Sequence, residues 1–209
     1  MTDRNDFLKS MYEQMFRDID QHYTIVWQSA GTVFASFAII ALSEKQLIPI
    51  DLGVSILVIV FSWLFLNVIE CSYWYNRNLC IIANIERQFL TKADLKDIHY
   101  YFGKHRPNNR MNSYLETQAY LGGILAILVL LYHFIARVLP NLSQPWTSFD
   151  PLRSLPYVMS AAALLVILRR HRHRLEDYNN FVRESPGIPV DTTGVTYGGG
   201  HGYPRTKPD

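Results

Sequence analysis

The chain has 209 residues, of which 49% are hydrophobic, 13% aromatic and 18% charged, against about 25% charged in soluble domains. A formal net charge of +2 excludes a function built on global charge, so the distribution of charge carries the information. The two cysteines, Cys71 and Cys80, point to opposite faces if one helix holds both, and so cannot bridge within it.

Residues 1–23 place Phe7, Leu8, Met11, Tyr12, Met15, Phe16 and Ile19 on one helical face. The other face carries Asp6, Lys9, Glu13, Arg17 and Asp20. This pattern predicts a cytoplasmic amphipathic helix that lies on the membrane or packs on protein. The first 24 residues hold five acidic and three basic side chains, which favours protein over anionic lipid. They hold no apolar core segment, so no cleavable signal peptide is predicted.

Four apolar blocks follow. Residues 24–42 (TIVWQSAGTVFASFAIIAL) and 52–69 (LGVSILVIVFSWLFLNVI) are uncharged. The third is 119–136 (AYLGGILAILVLLYHFIA), and the fourth, 155–168 (LPYVMSAAALLVIL), is shorter. A spanning helix needs ~17–25 mostly apolar residues. The first three qualify; the fourth needs Pro151, Leu152 and a snorkelling Arg153 to complete it. Pro156 falls in a first helical turn, where a missing amide costs little. Soluble helices carry a polar stripe, and these blocks have no charged one. The expected fold class is all-α: an integral membrane protein with four transmembrane helices in two hairpins, 24–69 and 119–169, and a small helical cytoplasmic layer.

Lysine and arginine set the orientation. Residues 1–23, the middle segment and the C-terminal segment hold seventeen; the two short connections hold three, Lys45, Arg137 and Arg153. Both termini and residues 70–118 are therefore expected in the cytoplasm. Trp27, Tyr73, Trp74, Tyr75 and Trp146 fall near the expected interfaces, which suit amphipathic rings.

Residues 70–118 form the cytoplasmic helical segment. The second span continues as ECSYWYNRNLCIIANIERQFL, with Leu79, Ile82, Ile85 and Phe89 in one stripe. Thr91 with Asp94 resembles a capping box and predicts a new helix, ADLKDIHYYF, ended by Gly103 and Pro107. From Asn109 the chain is expected to run as a helix into the third span. Residues 170–184 make a cytoplasmic basic helix, stopped at Ser185-Pro186-Gly187. Residues 185–209, rich in glycine and proline, compose a tail expected to be disordered.

No catalytic motif is present: GxxxxGK[ST], HExxH, CxxC and GxSxG are all missing. No enzyme activity, cofactor or metal is expected. Three constellations could bind. Asn67, Glu70 and Arg77 share a helical face near the cytoplasmic end of the second span, and could control an ion or proton entrance or pair with a neighbouring helix. His99, Lys104, His105 and Arg106, interleaved with Tyr100 and Tyr101, could cradle a nucleotide-like anion or sit at headgroups. His133 and Arg137, four apart, could hold an anion or reach to water. The run RRHRHR ends the fourth span. Its Arg169, Arg170, Arg172 and Arg174 are candidate contacts to anionic lipid, at about 1 kcal/mol each. The run is short and without interleaved aromatics, which argues against nucleic acid. His171 and His173, two apart on a helix, do not converge on a metal.

Gly31, Ala35 and Ala38, with Gln28, Thr32 and Ser36 adjacent, and Gly122, Gly123 and Ala126 let helices approach closely within one chain or between copies. A homo-oligomer in the lipid bilayer is the expected state. The layout of residues 1–92, an amphipathic helix, a tight two-span hairpin and a long cytoplasmic helix, is similar to small bacterial membrane effectors of the SLATT type. That resemblance implies a bacterial inner-membrane protein that disrupts membranes in partnership with a nucleotide-signalling or defence module. The expected function is an oligomeric inner-membrane interaction or effector protein whose cytoplasmic layer receives a protein partner or small ligand. The alternatives are a small ion channel or transporter with its pathway between subunits, and a lipid-acting enzyme using His99 or His105.

Overall fold

The computed structural model describes residues 3–91, 93–94, 108–142 and 150–186. Among these the chain is helical, with no strand. The helices are α1 (Arg4–Ser36), α2 (Ala38–Glu44), α3 (Ile50–Phe89), α4 (Ser113–His133) and α5 (Leu155–Glu184). A π-helical turn, Phe134–Val138, and a 3-10 turn, Leu139–Asn141, extend α4; a second 3-10 turn, Pro151–Ser154, leads into α5. Four stretches, Arg4–Glu44, Ile50–Phe89, Ser113–Asn141 and Pro151–Glu184, are long and apolar enough to cross a membrane.

The amphipathic segment and the first apolar block form one continuous helix. Its apolar face docks on protein: Tyr12, Met15, Phe16 and Ile19 pack with Leu79 and Ile82 of α3. The block itself breaks near its far end. Phe37 closes a tight turn on the Phe34 carbonyl at 3.2 Å, while Ser36 Oγ donates to the Val33 carbonyl at 2.7 Å. The hydroxyl and the tightened turn redirect the chain into α2.

α3 is the hub, with α1, α4 and α5 each packed chiefly against it. Its apolar stretch is half buried, whereas almost none of α5's is. α1 and α4 run antiparallel to α3, since Arg4 meets Gln88, Ser29 meets Asn67 and Leu115 joins Cys71 in one core cluster. α5 runs parallel to it, from Glu70 beside Arg174 to Asn84 beside Ser185. The third and fourth apolar stretches therefore pack on a common helix more than on each other.

Close approach explains two glycines. A Cβ on Gly122 would sit 2.9 Å from Leu64 Cδ2, and one on Gly53 would sit 2.6 Å from Ser43 Oγ. Gly123, by contrast, has only ordinary contact, with Phe65 at 3.7 Å.

α4 begins at Ser113, not at Asn109. Asn76 of α3 holds the preceding strand of chain, donating to Asn109 Oδ1 at 3.1 Å and to the Arg110 carbonyl at 2.9 Å. Asn112 then caps the helix by accepting from the Leu115 amide at 3.0 Å. The Thr91–Asp94 capping box forms reciprocally: Asp94 Oδ2 accepts from the Thr91 amide and hydroxyl at 2.7 Å, and Thr91 Oγ1 accepts from the Asp94 amide at 3.5 Å. These bonds hold the Asp94 carboxyl below its ordinary range. The helix it would start lies outside the described residues.

Candidate functional site

Three polar assemblies stand out, one near each end of the apolar zone and one beyond it.

The first lies where α2 meets α3. Asp51, in the first turn of α3, is buried. Its Oδ1 lies 2.8 Å from His133 Nε2 and its Oδ2 lies 3.0 Å from an Arg137 guanidinium nitrogen. The other His133 nitrogen, Nδ1, is 2.9 Å from the Tyr157 hydroxyl of α5. One carboxylate thus ties α3, α4 and α5 together at this end. His133 and Arg137 share a face as expected, but the histidine does not reach to water: it is fully buried. The π-helical turn starts at the next residue, and such turns recur at functional sites. Sequence reasoning missed Asp51, which sits one residue before the second apolar block and whose partners lie more than 80 positions away.

The second assembly lies at the opposite end of the apolar zone. Glu70 receives hydrogen bonds from Arg170 and from Arg174, whose guanidinium reaches Glu70 Oε2 at 2.6 Å. Arg174 also bonds Asp177 at 3.0 Å and lies 4.5 Å from the Tyr73 ring centre. The Asn67, Glu70 and Arg77 constellation is not brought together. Asn67 donates to Ser29 of α1 at 2.6 Å. Arg77 lies over the Trp74 and Phe181 rings, at 5.0 and 5.4 Å. Glu70 instead joins two of the four candidate lipid-contacting arginines. Arg170 and Arg174 bind protein, while Arg169 and Arg172 face outward. The segment with His99, Lys104, His105 and Arg106 lies outside the described residues.

The third assembly is a groove among the ends of α1, α3 and α5. It is open to the surface, with a volume of about 560 Å3. Leu8, Met11, Ile81, Ile85 and Phe181 give it apolar walls; Arg4, Asn84, Gln88 and Glu184 give it a polar rim. Arg4 donates to Gln88 at 3.2 Å and Asn84 to Ser185 at 3.1 Å, closing two corners. Nearby, Tyr12 donates to Glu86 Oε1 at 3.4 Å, and Glu86 Oε2 is buried without a partner. Burial pushes the Glu86 carboxyl and the Tyr12 phenol above their ordinary values. Between the apolar stretches of α1, α3 and α4, the space lined by Val33, Leu64 and Gly122 is only about 10 Å3, hardly room for one water.

Comparison with protein-family models, with curated proteins and with solved structures gives no match. Among the described residues no group of His, Cys, Asp and Glu is arranged to hold a metal ion.

Proposed function

We propose that the protein is an oligomeric interaction or effector protein of a bacterial inner membrane. Its four apolar stretches cross the bilayer as two hairpins, with both termini and residues 70–118 in the cytoplasm. The cytoplasmic layer receives a protein partner or small ligand. The observation that carries this reading is the groove of about 560 Å3, a volume in the range of ligand sites, with an apolar wall and a few polar groups at the rim. It is built from helix ends outside the uncharged blocks 24–42, 52–69 and 155–168, on the side where lysine and arginine are concentrated. The exposed apolar faces of α4 and α5 support placement in lipid, since a soluble monomer rarely exposes contiguous patches above a few hundred Å2.

Membrane placement is tested by single cysteines at Ser10, Lys45 and Glu184, labelled with an impermeant maleimide in right-side-out vesicles. Labelling of Lys45→Cys alone is expected; labelling of Ser10→Cys contradicts the topology. The receiving role is tested by a photocrosslinking residue at Met11 in living cells. An adduct of reproducible mass that Ile85→Trp abolishes is expected, because the indole fills the groove. A Met11 probe that yields no adduct counts against the receiving role.

The channel reading has less support within one chain. Glu70 is neutralised by two guanidinium groups, and the space beside Gly122 is too small for a solute. A pathway between subunits is the form in which that reading survives.

A further inference from the structure

α1 meets α3 through Val26, Ser29, Ala30 and Val33. The opposite face of α1 is exposed, and it carries a regular pattern: Gln21, Thr24, Gln28, Gly31 and Ala35, at spacings of 3 and 4. That alternation has the 3–4 spacing of a left-handed coiled-coil seam, filled here by polar and small residues. Gln14 lies one heptad before Gln21, so the glutamines recur every seven residues. Neither Gln21 nor Gln28 has a side-chain partner among the described residues.

Gln28 makes the face unlike an ordinary lipid-facing one. It lies one turn inside an uncharged apolar block, just past the interfacial Trp27, where a primary amide gains from a partner as water thins out. An amide both donates and accepts, so it is complementary to its own copy across a two-fold axis. Copies in one membrane share an orientation, which sets their α1 helices parallel and places each glutamine opposite itself. A single polar residue at such a position specifies register in parallel pairs. One turn further, a Cβ on Gly31 would meet nothing within 4 Å, so the backbone is open to close approach there.

We propose that a second copy of this chain packs its α1 against α1 along Gln21, Thr24, Gln28, Gly31 and Ala35, with the glutamine amides bonded across the pair. The proposal rests on the oligomeric reading given above and names its interface. The seam spans about 21 Å at 1.5 Å per residue. It opens before Gln21, where Gln14 is engaged by Asp18 and Arg17 at 2.7 and 2.9 Å and the Arg17 side chains would repel.

The test is oxidative crosslinking of the full chain in native membranes, with oligomeric mass measured on the same sample. Cys71 and Cys80 are buried, so a single added cysteine reports its own position. Thr24→Cys, Gly31→Cys and Ala35→Cys should give a dimer band, and Leu165→Cys, exposed on α5, should not. Adding Gln28→Leu should cut the Ala35→Cys crosslink about fivefold. Crosslinks at 165 but not at 24, 31 or 35, in a sample of dimeric mass, overturn the seam and leave the oligomer standing. A monomeric mass with no crosslink overturns both. An adduct of Ala35→Cys with a different protein overturns the second copy as occupant.

Discussion

Asp51 and His133 are 82 positions apart in sequence and meet at 2.8 Å in the interior. The carboxylate also holds Arg137, and through His133 it reaches Tyr157, so one acid joins three helices. Attraction between such groups is offset by their desolvation, so the net gain of the pair is small. Removing the carboxylate is different, because it leaves the fully buried His133 without its partner.

Asp51→Asn should therefore lower stability in detergent by on the order of 3 kcal/mol. A double-mutant cycle with His133→Gln should show a coupling of at least about 1 kcal/mol. Additive effects of the two substitutions would contradict a shared network.

The four arginines of the basic run should divide into two classes. Arg169→Ala and Arg172→Ala should each weaken binding of anionic lipid by about 1 kcal/mol and leave thermal stability unchanged. Arg174→Ala should cost about 1 kcal/mol of stability, since the half-buried Glu70 loses one of its two guanidinium partners. Native mass spectrometry with added phosphatidylglycerol, beside thermal melts, distinguishes the classes. Equal behaviour of Arg172→Ala and Arg174→Ala would contradict the division.

Gly122→Ala should be destabilising by about 1–3 kcal/mol, because its methyl meets Leu64 at 2.9 Å. Gly123→Ala should be close to neutral, since its methyl finds ordinary contact at 3.7 Å. Melting curves of the two variants check the assignment, and a neutral Gly122→Ala would contradict it.

Docking of the α1 terminus should weaken as pH rises. Burial raises the Glu86 carboxyl in the folded state, so its neutral form is the one that the fold favours. That contribution is fully present below the unfolded glutamate value of about 4.3 and is lost as pH rises through the raised folded value. The raised Tyr12 phenol acts with the same sign, in the alkaline range. Amide protection factors for residues 4–16, corrected for intrinsic exchange, should fall from pH 4 towards neutrality, and Glu86→Gln should remove the dependence. Protection that rises with pH would contradict the assignment.

Local chemistry is what a sequence displays. Residues 24–42 and 52–69 announce their helices by length and lack of charge, and Thr91 with Asp94 announces a cap because both members lie within four residues. Pairing between helices is a different matter. Glu70 and Arg174 are each conspicuous in the sequence, one as an ion-entrance candidate and one as a lipid contact, yet nothing local states that residues 104 positions apart will meet. The chain from Asn109 reads as helix because no glycine or proline interrupts it before the third span; the bonds from Asn76 to Asn109 and Arg110 delay the helix to Ser113. Asp51 is not legible in the sequence, because an acid at the edge of an apolar block resembles an interfacial residue and its partners lie more than 80 positions away.

A membrane interaction protein of the kind proposed should hold no open pathway of its own. Ion flux from liposomes containing the purified chain, with oligomeric mass determined on the same sample, tests it most directly. A defined oligomer is expected, with vesicles that hold sodium and potassium gradients as long as protein-free vesicles do. Constitutive, selective flux that Glu70→Gln abolishes would contradict it and make the protein a channel.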